Sequence, residues 1–256
     1  MAKPTDELKV LSVQHYTDRL FKFRVERPKS FRFKSGQFVM IGLMVDDQPL
    51  MRAYSMASSC WDDELEFFSI KVPNGPLTSR LQHIKVGDSI LIGGKAVGSL
   101  VIQSLKPGRR LFLVSTGTGI APFASITREP DTYERFEQVY LTHTCRQVAE
   151  LSYGKELVAG LQDDPLCAEF ASQLTHYTSV TREDYPFKGR ITDCLESQKF
   201  FTDLGIEGFD PEYDRVMICG SIEMNKDMKA LLEAQGFTEG SQREKGEFVI
   251  ERAFVG

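Results

Sequence analysis

The chain has 256 residues, of which 41% are hydrophobic and 26% are charged, and its formal net charge is −5. This composition is typical of a globular protein with one large domain or two ordinary ones, and no apolar run approaches the roughly 18 residues that a membrane-spanning helix needs. The first residues, MAKPTDELKV, lack the apolar stretch of a secretory signal, so we expect a cytoplasmic protein.

The charge is unevenly distributed along the chain. Residues 1–108 contain 15 Lys and Arg against 11 Asp and Glu, whereas the remainder contains 16 basic and 25 acidic residues. A basic first half suits a negatively charged partner or ligand, although an ordinary solvated surface would give the same counts.

The cysteines and histidines indicate neither a metal centre nor a disulfide framework. There are five cysteines, an odd number, and no two have a Cys-x-x-Cys spacing. The four histidines also lack a paired spacing. We therefore predict no zinc site, no iron–sulfur cluster and no catalytic metal.

Up to about residue 105 the sequence is typical of antiparallel β-structure. Short apolar runs recur between turn signals, and several alternate, as in Phe21-x-Phe23-x-Val25. Six such strands at short spacing predict a small closed barrel. The six runs are KVLSVQHY, LFKFRVER, GQFVMIGL, RAYSMASS, LEFFSIKV and DSILIGG. A helix is expected in PLTSRLQHI, with Pro76 in its first turn, where a missing N–H costs no hydrogen bond.

After LKPGRR the periodicity changes. The strand-like runs RLFLVST, QVYLTHT and DRVMICG alternate with the helical stretches SYGKELVAGLQ and NKDMKALLEAQ. This alternation predicts a doubly wound parallel sheet. Because Pro107-Gly108 interrupts the chain between the two patterns, we predict domains at 1–105 and 109–256.

The stretch VSTGTGIAPF follows the first strand of the second half. Gly117 and Gly119 bracket Thr118, and glycine lets a backbone turn tightly against a pyrophosphate at the start of a helix. The usual dinucleotide fingerprint has a third glycine where this chain has Pro122, which suits a first helical turn. A plain tight turn would use the same residues, so this motif alone leaves both interpretations open.

The choice of nucleotide can be examined at the next strand. NAD-binding sheets commonly carry an Asp or Glu there, but VYLTHTCRQ offers Arg146, and Arg182 and Arg190 follow. Guanidinium groups match a 2′-phosphate, so three arginines around one pocket would select NADPH over NADH. Each could also be an ordinary surface arginine.

The run DRVMICG would place Cys219 and Gly220 at the carboxyl end of a parallel strand, the edge at which such sheets bind ligands. A lone cysteine at a strand end is also commonly a small buried hydrophobic residue.

Four motifs occur in a familiar order. In the first half, RAYS matches the flavin-binding Arg-x-Tyr-Ser pattern and follows GQFVMI, and FFSIKVPNGPLTSRL is similar to a segment that lines a flavin and its pyrophosphate. In the second half, STGTGIAPF and MICGSIEM match NADP-domain signatures. Over nearly its whole length the chain resembles the ferredoxin–NADP reductases, in particular the bacterial group that also serves flavodoxin. The resemblance implies non-covalent FAD in the six-stranded barrel and NADPH in the doubly wound domain.

The resemblance also implies roles for individual residues of the first half. Tyr54 would stack on the isoalloxazine ring, Ser55 would place its hydroxyl near the flavin N5, and Arg52 would neutralise the FAD pyrophosphate. Considered without the family, Tyr54 could be a barrel-surface aromatic and Arg52 an edge-strand charge. The remaining residues implied at the FAD site are Ala53, Ser69, Ile70, Lys71, Pro76, Leu77, Thr78 and Thr116.

In the second half the resemblance implies that the glycine turn and three arginines bind NADP. Cys219 would lie against the nicotinamide, and with Tyr54 and Ser55 it completes the implied catalytic set. The residues implied at the NADP site are Gly117, Thr118, Gly119, Gly220, Arg146, Arg182 and Arg190.

The end of the sequence departs from plant-type members, which finish in a tyrosine that covers the flavin. This chain ends ERAFVG, as in bacterial members whose tail reaches the flavin. The resemblance implies that Ala253 lies at the flavin and that Phe254 stacks on the FAD adenine. A tyrosine-gated mechanism is therefore not expected here.

We expect a monomeric ferredoxin (flavodoxin)–NADP reductase that transfers hydride between NADPH and the FAD N5 and exchanges single electrons with ferredoxin or flavodoxin. The acidic carrier would dock on the basic first half, with no nucleic acid involved. Two alternatives stay open: an NAD(P)H reductase component of an oxygenase or a flavin reductase, and a redox-sensing flavin-binding interaction module without turnover.

Overall fold

The computed structural model describes residues 6–252, which form two compact units. Within the described residues, one unit contains the chain up to Gly98 together with Ala121–Ile126, and the other contains Ser99–Ile120 and residues 127–252. Each unit has its own sheet and core. None of the helices within residues 6–252 combines the length and the apolar character that crossing a membrane requires.

The first unit contains the six predicted strands, which form one antiparallel sheet within the described residues. They are β1 (Asp6–His15), β2 (Leu20–Glu26), β3 (Phe38–Val45), β4 (Gln48–Ser55), β5 (Glu64–Ile70) and β6 (Ser89–Ile92). The order is β4-β3-β6-β1-β2-β5. Directly after β4, the N–H of Ala57 donates to the carbonyl of Glu66 on β5 at 2.8 Å, so the two edge strands approach each other. The sheet thus curls toward the predicted barrel.

The core of this unit follows from the alternation in β2. Phe21, Phe23 and Val25 are fully buried, and the Phe23 ring lies 5.4 Å from that of Phe67 on β5. The predicted helix is shorter than expected: α1 (Thr78–Leu81) begins after Pro76. The N–H of Ser79 still donates to the carbonyl of Gly75 at 3.2 Å, so Pro76 lies in a hydrogen-bonded turn that precedes the helix.

The second unit carries the predicted parallel sheet, with five strands in the part from Ser99 to Arg252. They are β7 (Arg110–Thr116), β8 (Gln138–Cys145), β9 (Leu174–Val180), β10 (Asp214–Gly220) and β11 (Phe248–Arg252), in the order β11-β10-β7-β8-β9. The apolar runs predicted β7, β8 and β10. They did not predict β9, a half-exposed edge strand rich in polar residues, or the short edge strand β11.

Helices flank both faces of this sheet. The described helices that follow β7 are α2 (Ala121–Ile126), α3 (Pro130–Arg135), α4 (Ser152–Gly160), α5 (Ile191–Glu196), α6 (Lys199–Leu204) and α7 (Ile222–Ala234). One face packs on α5, α6 and α7 through a shared cluster that includes Phe112, Phe200 and Met228. On the other face, the backbone of Gly154 in α4 lies against His143 of β8. The prediction of a doubly wound sheet is confirmed.

The amino ends of β7 and β10 are joined by a buried ion pair. The Asp214 carboxylate is fully buried and accepts from Arg110 Nε at 2.5 Å and from Arg110 Nη2 at 2.8 Å. The N–H of Asp210 also donates to this carboxylate at 2.8 Å. Because the Asp214 carboxylate on β10 accepts two hydrogen bonds from Arg110 on β7, it links the two central strands.

We expect Asp214→Ala to lower the free energy of unfolding by about 3–5 kcal/mol, because it leaves the partly buried Arg110 guanidinium without its carboxylate. Urea unfolding followed by circular dichroism measures this loss. The matched control is Glu137→Ala, which breaks the exposed pair with Arg109 (2.8 Å) and should change little. Equal effects of the two substitutions would contradict the prediction.

Candidate functional site

The strand order of the second unit places two glycine turns side by side. The chain continues from β7 to β8 and β9 on one side, whereas β10 and β11 lie on the other. The order therefore reverses between β7 and β10, and open α/β sheets bind ligands outside the carboxyl ends of strands at such a switch point. At that edge β7 leads into the turn Gly117–Ile120, and β10 ends at Gly220.

Glycine is required at this edge because the two strand ends approach closely. A Cβ on Gly119 would overlap the carbonyl oxygen of Cys219, and one on Gly220 would overlap Thr116 Oγ1. Gly117 differs, because it has a left-handed φ of +54° with open space around the missing Cβ. The turn thus forms a cradle, half-buried at Gly117 and Thr118, with open space beside Gly117.

Thr116 and Ser221 fix the two turns to each other. The N–H of Ser221 donates to Thr116 Oγ1 at 3.1 Å, and Ser221 Oγ accepts the N–H of Met224 at 3.2 Å as the N-cap of α7. The 13-residue helix α7 therefore begins at the switch point. Its first N–H groups and its dipole favour an anion there, so the cradle fits the pyrophosphate of a dinucleotide.

The structure brings two of the three predicted arginines together at the carboxyl ends of β8 and β9. The N–H of Arg182 donates to the carbonyl of Arg146 at 3.0 Å. Two carboxylates hold the loops in place: Glu150 accepts the N–H of Arg146 at 2.8 Å, and Glu183 accepts the N–H of Val148 at 2.5 Å.

Arg190 lies near the same edge, since the neighbouring Gly189 donates its N–H to the carbonyl of Val180, the last residue of β9, at 2.9 Å. All three arginine side chains are exposed, and among the described residues none of their guanidinium groups forms an ion pair. Three cationic groups without counter-ions suit a phosphate.

Cys219 and Glu251 are neighbours on β10 and β11. Cys219 is buried, and burial raises the pKa of its thiol, which therefore remains protonated. Glu251 pairs with Cys219 in the strand register, and burial raises the pKa of its carboxyl to about 7. Glu251 Oε2 has no hydrogen-bond partner within the described chain. Sequence reasoning missed Glu251 because β11 was not predicted; a charged residue directly after the apolar run FVI was the available signal.

In the first unit, β4 and β5 bring Tyr54 and Ser69 together. The Tyr54 hydroxyl lies 3.1 Å from Ser69 Oγ, and its ring meets Phe67 edge to face with centroids 6.4 Å apart. Tyr54 is only 9% exposed, which rules out the alternative of a barrel-surface aromatic, and burial raises the pKa of its hydroxyl. The Ser69 side chain, one of the residues implied at the FAD site, thus orients the Tyr54 ring.

Arg52 lies two residues before Tyr54 on β4 and therefore on the same side of the strand. Its Nη1 donates to the carbonyl of Met51 at 2.8 Å, and none of the described carboxylates pairs with it. A half-buried guanidinium without a counter-ion fits an anionic group such as a pyrophosphate.

The other predicted FAD residues lie along β4, β5 and the turn into α1. Lys71 Nζ donates to the carbonyl of Thr17 at 2.7 Å, so its charge already has a partner, and the hydroxyl of the buried Thr78 donates to the carbonyl of Val72 at 3.3 Å. Leu77 is buried and Pro76 exposed, whereas Ala53, Ser55 and Ile70 are half-buried. Thr116 belongs to the second unit, and Ala253 and Phe254 lie outside the described residues. Within residues 6–252 no cluster of His, Cys, Asp or Glu could hold a metal ion.

Comparison with known proteins finds two family models that match successive parts of the chain. The family described as "Oxidoreductase FAD-binding domain" matches residues 9–101, and "Oxidoreductase NAD-binding domain" matches residues 113–230. A flavodoxin/ferredoxin–NADP reductase of Rhodobacter capsulatus is 57% identical over 98% of this chain and 94% of its own length. A ferredoxin–NADP reductase of Azotobacter vinelandii is 49% identical over 96% of each chain.

A solved structure is also similar to this chain over nearly its full length. The crystal structure of a ferredoxin NADP⁺ reductase from Neisseria gonorrhoeae with bound FAD and NADP has a TM-score of 0.88 and 32% identity, and the match covers 98% of this chain and 99% of that one. With relatives this similar over nearly its full length, the chain belongs to the ferredoxin/flavodoxin–NADP reductase family.

Proposed function

We propose that the chain is an FAD-dependent reductase that exchanges electrons between NADPH and ferredoxin or flavodoxin. The observation that carries this proposal is the set of three exposed, unpaired arginines at the sheet edge that also holds the glycine cradle of the switch point. The relatives are named for these carriers. A bound flavin accepts a hydride, which carries two electrons, and releases the electrons one at a time. It can therefore link NADPH, a two-electron donor, to ferredoxin or flavodoxin, which accept single electrons.

FAD belongs to the first domain, which we place at residues 1–105, with the NADP domain at 109–256. Arg52 supports this assignment because its guanidinium is unpaired and can neutralise a pyrophosphate. Tyr54 supports it because a ring fixed by Phe67 and Ser69 is a rigid surface for a flavin to stack on. Ala53, Ser55, Ile70, Pro76, Leu77 and Thr78 border the same strand ends.

NADPH belongs to the switch point of the second domain. Thr118 and Gly119 offer backbone N–H groups to the pyrophosphate, and Arg146, Arg182 and Arg190 hold the 2′-phosphate. Cys219, being small and protonated, leaves space for the nicotinamide at the end of β10 without placing a charge there.

We also propose that the protein acts as a monomer in the cytoplasm. All five cysteines are free, which is usual where thiols are kept reduced.

The purified protein is expected to carry FAD and to oxidise NADPH in preference to NADH. Replacing Arg146, Arg182 or Arg190 with Ala should raise the KM for NADPH about tenfold or more, because a charge-assisted contact to the 2′-phosphate is lost. The KM for NADH should change less than about twofold, since NADH lacks that phosphate.

Visible spectra and steady-state assays of both nucleotides provide these values. Arg243→Ala, at an exposed arginine elsewhere in the second unit, is the control and should leave both KM values unchanged. A colourless protein that cannot be reconstituted with FAD, or equal use of the two nucleotides, would refute the proposal. Activity with free flavin alone would favour a flavin reductase, and bound FAD that NADPH cannot reduce would favour an interaction module.

Side-chain size at Ser55 and Cys219 should control hydride transfer. Cys219→Met and Ser55→Leu are expected to slow the reduction of bound FAD by NADPH about tenfold or more, because a displaced nicotinamide loses its reactive geometry. Stopped-flow absorbance measures the rate, and the ratio of FAD to protein measures retention of the cofactor. Cys219→Ser, which keeps the size, should retain most of the rate. An unchanged rate in the two bulky variants would show that neither residue shapes the site.

Reduction of ferredoxin or flavodoxin should weaken as salt rises, because the basic excess of residues 1–108 attracts an acidic carrier. Charge screening shortens to about 10 Å at 0.1 M salt, so we expect carrier turnover to fall about tenfold between about 0.05 M and about 0.5 M. Turnover with menadione, an uncharged acceptor, at saturating NADPH should stay nearly constant. Parallel salt profiles for the two acceptors would exclude electrostatic docking.

A further inference from the structure

A histidine on the neighbouring strand β8 forms a hydrogen bond to the turn Gly117–Ile120. The proposed function does not use this histidine. β7 and β8 run in parallel, with Ser115 opposite His143. One residue beyond the end of β7, the carbonyl of Gly117 lies 3.0 Å from His143 Nε2. His143 is fully buried, so this bond is shielded from water.

The geometry defines the protonation of the ring. A carbonyl oxygen can only accept, so Nε2 carries the hydrogen and donates it to Gly117. Nδ1 has no hydrogen-bond partner within the described chain, and burial lowers the pKa of His143 to about 3. The imidazole is therefore neutral near pH 7.

Cys145, two residues after His143 on β8, lies beside the same bond. Its Sγ is 3.2 Å from His143 Nε2.

Helix α4 keeps the ring in place. A Cβ on Gly154 would lie 2.8 Å from His143 Nδ1 and 2.9 Å from Ile120 Cδ1. The bare backbone of α4 therefore packs against the imidazole, which cannot rotate away from the turn without displacing the helix.

Gly117 is a residue at which a side-chain restraint matters, because glycine lacks the steric limits that a Cβ imposes on the backbone. It has a φ of +54°, and no atom lies within 4 Å of the position a Cβ would take. Glycine tolerates backbone orientations that other residues exclude, so the direction of this carbonyl depends on its hydrogen bonds. Rotation would turn the carbonyl, a partial negative charge, toward the phosphate and turn the following N–H away from it.

We propose that His143 is a positioning residue for dinucleotide binding, which holds the carbonyl of Gly117 against β8 so that the turn presents N–H groups to the pyrophosphate. The inference rests on the proposed function, since it assigns the pyrophosphate to this turn. It concerns affinity for the diphosphate and not for the 2′-phosphate, which the arginines after β8 and β9 would bind.

Gln and Met have nearly the same shape, but only Gln can donate a hydrogen bond, so they form a matched pair at position 143. His143→Met should weaken NADP⁺ binding about tenfold, and His143→Gln should stay within about twofold of the wild type. Isothermal titration calorimetry of the FAD-loaded protein with NADP⁺ measures the Kd directly. Titration with adenosine 2′-phosphate, which lacks the pyrophosphate, should give the same Kd in all variants.

Two further variants separate positioning from a loss of packing. His176→Met changes a second desolvated histidine on β9 that is not hydrogen-bonded to the turn, and it should leave NADP⁺ binding unchanged. Gly154→Ala, which presses on the imidazole, should weaken NADP⁺ but not adenosine 2′-phosphate. It tests the inference even where His143→Met fails to fold.

Unchanged NADP⁺ affinity in both His143→Met and Gly154→Ala would overturn the inference while leaving the proposed function intact. Equal loss in His143→Met and His143→Gln, or equal loss for the two ligands, would also overturn it. Wild-type protein that binds neither ligand would refute the proposed function itself.

Discussion

The close approach of the carboxyl ends of β7 and β10 is the constraint on which the second unit depends. Gly119 contacts the carbonyl of Cys219 directly, and Thr116 receives the N–H of Ser221 at 3.1 Å. A side chain at either glycine would force the strands apart and separate the two turns. At the opposite ends of the same strands, Arg110 and Asp214 are joined in a buried pair. Both ends of the central strand pair are therefore fixed, and the cradle does not depend on flexible loops for its shape.

Charged and neutral side chains occupy different positions around the carboxyl ends of the strands. The arginines that follow β8 and β9 are exposed and unpaired, whereas the Cys219 thiol and the His143 ring, close to the strand ends, are buried and neutral. Burial keeps the Cys219 thiol protonated and the His143 ring uncharged. In the proposed function, the 2′-phosphate of a bound nucleotide would meet the positive charge of these arginines, and its pyrophosphate would meet backbone dipoles at the sheet edge.

The fold could be predicted from the sequence because most strands show a recognisable pattern of apolar residues. Phe21, Phe23 and Val25 alternate as a one-sided strand must, and β7 and β10 are continuous apolar runs as buried parallel strands must be. β9 was not predicted because it is an edge strand that is half exposed to solvent and contains polar residues such as Thr175. β11, with five residues, is too short to show a period.

The candidate site was less accessible to sequence reasoning, because its geometry depends on contacts between distant residues. The motifs marked Gly117, Gly119 and Tyr54, which are recognisable from local pattern. They did not mark His143 or Glu251, whose surroundings come from neighbouring strands rather than from neighbouring positions. Periodicity identifies an inward-facing side chain, but not the group it meets there.

The grouping of Ala121–Ile126 with the first unit bears on how the chain can be divided. These six residues, which begin with the Ala-Pro pair of the glycine motif, are all buried. A single cut near Pro107 would leave an N-terminal fragment without these six buried residues, which group with it by contact. The two halves are thus separable as compact bodies but interleaved along the chain. Shuffling of such halves between relatives would have to exchange this segment together with the first unit.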